Sequence, residues 1–354
     1  MTSSIEELVA DWDGEALVSH YDRDSGTFVF IAVHSTRLGP AAGGTRIRIY
    51  PTPVDAVHDV LRLAEGMTLK CAAAGLPTGG GKAVLAVPEL PTGTARRQLL
   101  LRYAGLIARL RGTYRTGPDM NTTGADMDVL GEVTEFAFGR SPDNGGAGTS
   151  APDTALGVRH GIVASCQHAF GSGDLAERTV LVQGAGGVGR VLVDLLVQDG
   201  AKVLVADVDP ARVVQLERAH GIVPVDPADV IGTECDVYAP CAVGSVLSEA
   251  SIPRLRCPIV AGAANAQLAT PQDAERLRAA GILYAPDFVI NSGGALHLIG
   301  IELLGWDQAT LRARVEGVGP TLREIYRHAD AEGTTTEAAA EAIARARLEA
   351  VPAA

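Results

Sequence analysis

Two lysines stand in unusually apolar stretches of the sequence. Lys70 lies within MTLKCAA, and Lys82 follows three glycines in GGGKAV. Burial lowers the pKa of a lysine and a second nearby cation lowers it further, so one member could bind a carboxylate while the other exchanges protons near neutral pH. Asp119, in TGPD, is a candidate proton carrier. From spacing alone, a purely structural role for these three residues stays equally open.

A glycine-rich turn, GAGGVG at 184–189, is the second chemical signal. It follows a β-branched run at 179–183 and opens a helical pattern, and a second strand pattern ends at Asp207. In this context the glycines predict a dinucleotide site, because the backbone can approach a pyrophosphate at the helix N-terminus. Asp207 would accept hydrogen bonds from the adenosine ribose and repel a 2′-phosphate, which favours NAD. The alternative is a turn that packs strand on helix without a ligand.

Hydrophobic periodicity indicates the elements that carry the lysines. Apolar residues at helical spacing predict an amphipathic helix over 54–74, which Gly75 closes. Around it we predict a further helix at 96–110, a turn of small residues at 39–44, and strands at 27–34, 45–50, 82–87 and 113–116.

The second part of the chain has a different pattern. The segment 142–148 is rich in turn residues and is the predicted hinge. After it, short β-branched runs alternate with helical stretches, which predicts a parallel, doubly wound sheet in an α/β protein of two domains. Its strands are predicted at 179–183, 202–206, 236–239, 258–261 and 282–285, with tail helices at 311–325 and 337–348.

Composition excludes several classes of protein. A net charge of −12 without a clustered basic face argues against a nucleic-acid partner. No apolar run approaches the ~20 residues that cross a bilayer, and the N-terminus has no signal-peptide core. The five cysteines contain no CxxC pair, which argues against disulfides or a structural zinc. We expect a cytoplasmic protein that binds no metal, membrane or nucleic acid.

Seven motifs resemble the Glu/Leu/Phe/Val dehydrogenase family. They are GPAAGGTR (39–46), GMTLKCAAAGLPTGGGKAV (66–84), TGPDMNT (116–122), ADMDVL (125–130), FGRSPDNGGAG (138–148), VAGAAN (260–265) and LYAPDFVINSGGALHL (283–298). The resemblance extends over both domains and looks closest to the phenylalanine dehydrogenases. It implies an NAD-dependent homo-oligomer that oxidatively deaminates an apolar L-amino acid to the 2-oxo acid and ammonium.

The resemblance implies a role for each candidate residue. Lys82 is expected to be the general base that activates water, Asp119 to carry protons to and from the amino group, and Lys70 to pair with the substrate carboxylate. Further substrate contacts are expected at Gly43, Gly44, Met67, Gly117, Pro118, Asn265, Asn291, Ala295 and Leu298. Cofactor contacts are expected at Thr154, Gly184, Gly186, Gly187, Val188, Gly189, Asp207, Ala239 and Asn265.

The resemblance also implies a domain order. A substrate and oligomerisation domain at 1–140 is followed by a Rossmann-type NAD-binding domain at 141–322, and helices in 323–354 return to the first domain. Substrate is expected in the cleft between the domains, whose closure would exclude water. One departure is Ala266, where many relatives have a second asparagine after the one that matches Asn265.

Substrate choice is predicted from a few side chains. Glutamate-specific relatives have a lysine where this chain has Ala42 and a serine where it has Leu298, so a γ-carboxylate would stay unpaired. Branched-chain relatives have larger residues than Ala42, Gly117 and Ala295, and the wider pocket favours phenylalanine over the alternative, leucine or valine.

Two other interpretations stay open at the level of sequence. One is an NAD-binding paralogue without turnover. The other is a hydroxy-acid dehydrogenase, which would need a catalytic histidine paired with a carboxylate; His297 is the candidate, although the resemblance makes it a packing residue.

Overall fold

The computed structural model describes residues 4–242 and 244–351, so the outer ends of the predicted domains lie outside the described residues. The chain divides into two compact units. Met1–Gly148, Leu298–Gly305 and Ala344–Ala354 form the first, and Thr149–His297 and Trp306–Ile343 form the second. The first unit thus extends beyond the boundary predicted at 140.

A mixed five-stranded sheet forms the centre of the first unit. Its strands are β1 (Ala16–Asp22), β2 (Thr27–Ser35), β3 (Ala41–Arg48), β4 (Gly79–Ala86) and β5 (Tyr114–Pro118), in the order β1-β2-β4-β3-β5. β2 is antiparallel to β1 and β4, whereas β3 is parallel to β4 and β5. The turn predicted at 39–44 is wrong from residue 41 onward, because Ala42 pairs with Gly80 and Gly44 with Gly117 within the sheet.

Helices cover both faces of this sheet. They are α1 (Ile5–Ala10), α2 (Pro53–Ala73), α3 (Gly93–Arg109) and α4 (Gly124–Gly131). A capping box between Thr52 and Asp55 starts α2, whose apolar stripe packs on β2 and β4, as the periodicity predicts. α3 and α4 pack on the opposite face around Tyr103 and Met127.

The second unit contains the predicted parallel sheet, with six strands. They are β6 (Thr179–Gln183), β7 (Lys202–Ala206), β8 (Val223–Pro224), β9 (Val237–Pro240), β10 (Ile259–Val260) and β11 (Leu283–Tyr284). The order is β11-β10-β9-β6-β7-β8, and all pairs are parallel. The chain starts at the centre with β6, winds to one edge and restarts at β9, which is the Rossmann topology.

The helices of the second unit begin after the predicted hinge, where Pro142–Asn144 forms one short 3₁₀ turn. They are α5 (Ala151–Phe170), α6 (Gly187–Gln198), α7 (Pro210–His220), α8 (Gln272–Ala279), α9 (Asp287–Ile290), α10 (Gly293–Leu298), α11 (Gln308–Glu316), α12 (Val318–Glu332) and α13 (Thr336–Glu349). The tail helix predicted at 311–325 is two helices, α11 and α12, that part at Gly317.

The C-terminal helices differ in where they pack. α12 stays in the second unit, where Tyr326 Oη lies 2.7 Å from Ser165 Oγ of α5. The end of α13 belongs to the first unit, and Arg347 donates to the carbonyls of Ala72 (3.2 Å) and Ala73 (2.6 Å) at the end of α2. The last helix therefore reaches the first domain as predicted, whereas α12 does not.

Three further findings concern the described residues. No helix among residues 4–242 and 244–351 combines the length and the apolar character that a membrane span requires. In the same part of the chain, no three potential metal ligands come together. All five cysteines are free thiols.

Candidate active site

Lys82 and Asp119 form an ion pair in the first unit. Lys82 lies on β4, Asp119 follows β5 directly, and Lys82 Nζ is 3.2 Å from Asp119 Oδ1. Only 6% of Lys82 is exposed. Burial lowers the pKa of Lys82; Asp119 opposes that shift and Arg46 adds to it, and the net direction is downward. The amine therefore loses its proton at a lower pH than an exposed lysine does.

Arg46 is the residue of this site that sequence reasoning missed. Its Nε donates to Asp119 Oδ2 at 2.8 Å, and its Nη1 donates to Asp59 Oδ2 of α2 at 2.9 Å. Arg46 lowers the pKa of Lys82, an effect that the sequence suggested for a neighbouring lysine. A usable signal existed, since Arg46 follows Gly44 by two residues on a strand and so projects from the same face.

Asp119 is held as a carboxylate. Burial alone would raise its pKa, but Lys82 and Arg46 outweigh burial and lower the pKa to about 2. Its loop is fixed as well, because Asp119 N–H donates to Thr122 Oγ1 (2.7 Å), which donates in turn to the Thr45 carbonyl (2.7 Å). An ionised acceptor is thus fixed beside the buried amine.

The paired glycines of β3 lie beside these groups. A Cβ built on Gly44 would be 2.8 Å from Cβ of Asp119, and one built on Gly43 would be 3.3 Å from Cγ of Met67. Lys70 lies three residues after Met67 on α2, hence on the same helix face. The first unit therefore brings the glycine pair close to Met67 and Asp119.

Gly117 does not create the open volume that the sequence predicted. A Cβ built on it would lie 2.8 Å from Cζ of Phe138 and nearer still to Cε2, and Phe138 is buried. Pro118 and Leu298 lie near Gly139, the residue that follows Phe138. A Cβ built on Gly139 would be 3.0 Å from Pro118 Cγ and 3.8 Å from Leu298 Cδ1. The wall predicted to be wide at Gly117 is filled by Phe138.

The glycine-rich turn of the second unit has the geometry of a phosphate cradle. It follows β6, the strand beside which the strand order of the sheet reverses. Gly184 adopts φ +103°, and its N–H donates to the Ala206 carbonyl at 2.7 Å. Gly186 caps α6, and apart from its own chain neighbours no described atom lies within 4 Å of a Cβ built there. Space is therefore open above a helix N-terminus, which suits a pyrophosphate. The remaining turn residues, all in the first turn of α6, are Gly187, Val188 and Gly189.

Asp207 lies just beyond β7 and has a second role that the motif does not reveal. Its Oδ2 accepts from the N–H of Ala185 at 2.6 Å and its Oδ1 accepts from the N–H of Asp209 at 2.8 Å. The side chain is 6% exposed, and Arg212 Nη1 is 3.9 Å from Oδ2. Asp207 therefore braces the glycine turn besides presenting charge at the end of β7.

Two asparagines meet in the second unit. Asn291 Nδ2 donates to Asn265 Oδ1 at 2.8 Å and to the Ala263 carbonyl at 3.2 Å. Oδ1 of Asn291 is buried with no hydrogen-bond partner among the described residues. A buried carbonyl of this kind is an acceptor that a ligand N–H can satisfy. The neighbouring Ala266 adopts φ +50°.

Other predicted contacts lie at the start of α5 and in the sheet. Thr154 Oγ1 donates to the Ser150 carbonyl at 2.9 Å and would be 3.0 Å from a Cβ built on Gly294. Ala239 is fully buried in β9, and Ala295 is half-buried in α10. Ala239 can thus offer a ligand no side chain, only backbone at the end of its strand.

His297 is paired with a carboxylate. Its Nδ1 lies 2.7 Å from Asp153 Oδ2, and the ring is 6% exposed. The pair joins α10 to the first turn of α5. The feature that a hydroxy-acid dehydrogenase would need is therefore present, and family membership decides between the two classes.

The fold and the two groups of residues define a class, a two-unit α/β enzyme with a Rossmann-type sheet and a buried lysine–aspartate pair. Residues 18–136 match the Glu/Leu/Phe/Val dehydrogenase dimerisation domain, and residues 205–351 match the Glutamate/Leucine/Phenylalanine/Valine dehydrogenase family. The chain belongs to the Glu/Leu/Phe/Val dehydrogenase family. It is an amino-acid dehydrogenase that acts on a CH–NH2 group, not a hydroxy-acid dehydrogenase.

Three relatives illustrate the likeness. Leucine dehydrogenase of Bacillus cereus is 39% identical, over 98% of this chain and 94% of its own. Valine dehydrogenase of Streptomyces virginiae is 43% identical, over 94% and 93%. The crystal structure of L-tryptophan dehydrogenase from Nostoc punctiforme is 35% identical with a TM-score of 0.86, over 98% and 99%. The two sequence relatives favour the branched-chain alternative over the phenylalanine dehydrogenases that we expected.

Proposed function

We propose that this protein catalyses the reversible, NAD-dependent oxidative deamination of a branched-chain L-amino acid, leucine or valine, to the 2-oxo acid, ammonium and NADH. The observation that carries the proposal is the ion pair of a buried lysine with an ionised aspartate, Lys82 and Asp119, 3.2 Å apart. Such a pair suits proton transfer around a substrate amino group. Identity of about 40% to leucine and valine dehydrogenases supports the substrate class.

The first unit would supply the acid–base chemistry. Lys70 would pair with the substrate carboxylate, which would also accept hydrogen bonds from the N–H groups of Gly43 and Gly44. Asp119 would take the proton of the amino group. Lys82, once neutral, would accept a proton from the water that adds to the imine carbon, and would return it as ammonium leaves.

The second unit would hold NAD, which when bound supplies an acceptor for the hydride of the substrate Cα. The open space at Gly186, at the N-terminus of α6, suits the pyrophosphate. Asp207 suits the ribose hydroxyls and disfavours a 2′-phosphate. The buried, unpartnered Oδ1 of Asn291 is an acceptor for a donor on the cofactor or substrate.

The side chains at the positions expected to line the pocket support a substrate of medium size. Phe138 fills the space beside Gly117 that an aromatic substrate was expected to use. Ala42 and Leu298 provide no cation for a γ-carboxylate, which disfavours glutamate. An aromatic amino acid is the second candidate, because the chain is 35% identical to a tryptophan dehydrogenase of similar fold.

Two expectations accompany the proposal. A homo-oligomer is supported by the match of residues 18–136 to a dimerisation domain. A cytoplasmic location stays a prediction.

NADH formation at alkaline pH, with leucine, valine, isoleucine, phenylalanine, tryptophan and glutamate, tests the substrate. Lys82→Ala should lower kcat about 10²–10⁴-fold while NAD binding is retained. The matched control is Lys202→Ala, at an exposed lysine that starts β7. Retention of more than about a tenth of kcat in Lys82→Ala would contradict its role as general base.

Phe138→Ala should raise kcat/KM for phenylalanine relative to leucine about tenfold. An unchanged ratio would mean that Phe138 does not line the substrate pocket.

A further inference from the structure

We infer that Arg46 is a positioning residue, which holds the Asp119 carboxylate so that one oxygen faces Lys82 and which is itself anchored by Asp59. The inference rests on the roles proposed for Lys82 and Asp119. It adds two residues, Arg46 and Asp59, that act through Asp119.

The geometry divides the oxygens of Asp119 between two cations. Arg46 Nε donates to Asp119 Oδ2 at 2.8 Å, and Asp119 Oδ1 pairs with Lys82 Nζ at 3.2 Å. A planar guanidinium fixes the rotation of a carboxylate better than an ammonium does, because its N–H groups point in set directions. Arg46 therefore sets the direction in which Asp119 presents Oδ1.

Asp59 keeps the guanidinium in place. Its Oδ2 accepts from Arg46 Nη1 at 2.9 Å and from Tyr50 Oη at 2.6 Å, and its Oδ1 accepts from Arg62 Nη2 at 3.0 Å. The side chains of Arg46 and Asp59 are 13% and 12% exposed. A buried guanidinium without its partner would be costly, so the pair locks Arg46 between α2 and the loop of Asp119.

The same contacts have an electrostatic consequence. The charged groups that act on Lys82 include Asp119, Arg46 and Asp59: Arg46 lowers the pKa of Lys82, and the two aspartates raise it. Removal of the charge of Arg46 should therefore raise the pKa of Lys82, and the acidic limb of kcat/KM should move to higher pH. Removal of the charge of Asp59 should move it to lower pH.

Arg46→Gln and Arg46→Lys test the inference with pH profiles of kcat/KM. Arg46→Gln should lower kcat at least about tenfold and shift the acidic limb upward in pH. Arg46→Lys keeps the positive charge but loses the planar guanidinium with its directed N–H groups. Its kcat should therefore fall, while the acidic limb of its pH profile stays near that of the wild type. KM for the amino acid should change less than kcat. The control is Arg48→Gln, two residues along β3, where an exposed arginine stacks on Tyr50.

Asp59→Asn decides the question if Arg46→Gln does not fold, because it leaves Arg46 and Asp119 themselves unchanged. Its acidic limb should shift downward, opposite to Arg46→Gln. Wild-type kcat and an unmoved limb in Arg46→Gln, or an unmoved limb in Asp59→Asn, would overturn the inference. If Lys82→Ala is inactive in that case, the proposed function survives; if Lys82→Ala is active, the proposed function itself fails.

Discussion

The ring of Phe138 lies where a side chain at Gly117 would have to be. A Cβ at residue 117 would come within 2.8 Å of Cζ of this buried ring. Phe138 is 5% exposed, so its ring is enclosed by neighbouring atoms and cannot move away freely. Gly117 and Phe138 are therefore in direct contact, and a substitution at either residue should alter the packing of the other.

Gly117→Ala should therefore destabilise the protein before it changes specificity. The added methyl overpacks a filled site, which costs about 1–3 kcal/mol in the free energy of unfolding. Phe138→Leu in the same chain should recover most of this loss, because it withdraws the ring. Urea unfolding of the single and double variants measures both effects. Equal stability of Gly117→Ala and wild type would mean that the Phe138 ring moves aside without a loss in the free energy of unfolding.

Asp207→Asn should narrow the preference for NAD over NADP. The single amide oxygen can still accept from the N–H of Ala185 in the glycine turn, while the hydrogen bond from the N–H of Asp209 and the charge that repels a 2′-phosphate are lost. The ratio of kcat/KM with NAD to kcat/KM with NADP should fall about tenfold. Asp209→Asn, at the N-cap of α7, is the control. Equal rates of the wild type with NAD and NADP would contradict the role of Asp207.

Ala266→Asn and Ala266→Gly should both stabilise the protein. Ala266 adopts φ +50°, a left-handed conformation that strains alanine and that asparagine and glycine tolerate. Relief of this strain should add about 0.5–1 kcal/mol to the free energy of unfolding. Ala264→Gly is the matched control in the same loop and should destabilise. A lower urea midpoint for both variants at 266 would show that other contacts outweigh the backbone.

Glu337→Gln should stabilise the protein increasingly as pH rises from 4.5 to 8. Burial, Asp287 and Glu341 raise the pKa of Glu337 from 4.5 to about 8, and its Oε2 has no hydrogen-bond partner among the described residues. In the wild type, folding therefore favours the protonated acid, and stability is lost as pH rises through this window, by up to about 1.4 kcal/mol per pH unit. Melting temperatures against pH measure the difference, with the exposed Glu332→Gln as control. A difference that does not vary with pH would refute the raised pKa.

Much of the second unit follows from local sequence. Short β-branched strands, the turn at 184–189 and the acid at Asp207 specify a Rossmann sheet, because each depends on neighbours in the chain. The predicted strands at 179–183 and 202–206 coincide with β6 and β7. Lys82 and Asp119 were candidates from their types and from family motifs, and they meet in the fold.

Other features were decided by the tertiary structure alone. The glycine runs of β3 and β4 look like turns until pairing with neighbouring strands holds them extended. Arg46 meets Asp119 across 73 residues of sequence, and Phe138 reaches Gly117 from a later segment. Such contacts depend on sheet register and on how loops cross the strand ends. Local periodicity specifies which face a side chain leaves from, whereas only the folded sheet determines which side chain it meets there.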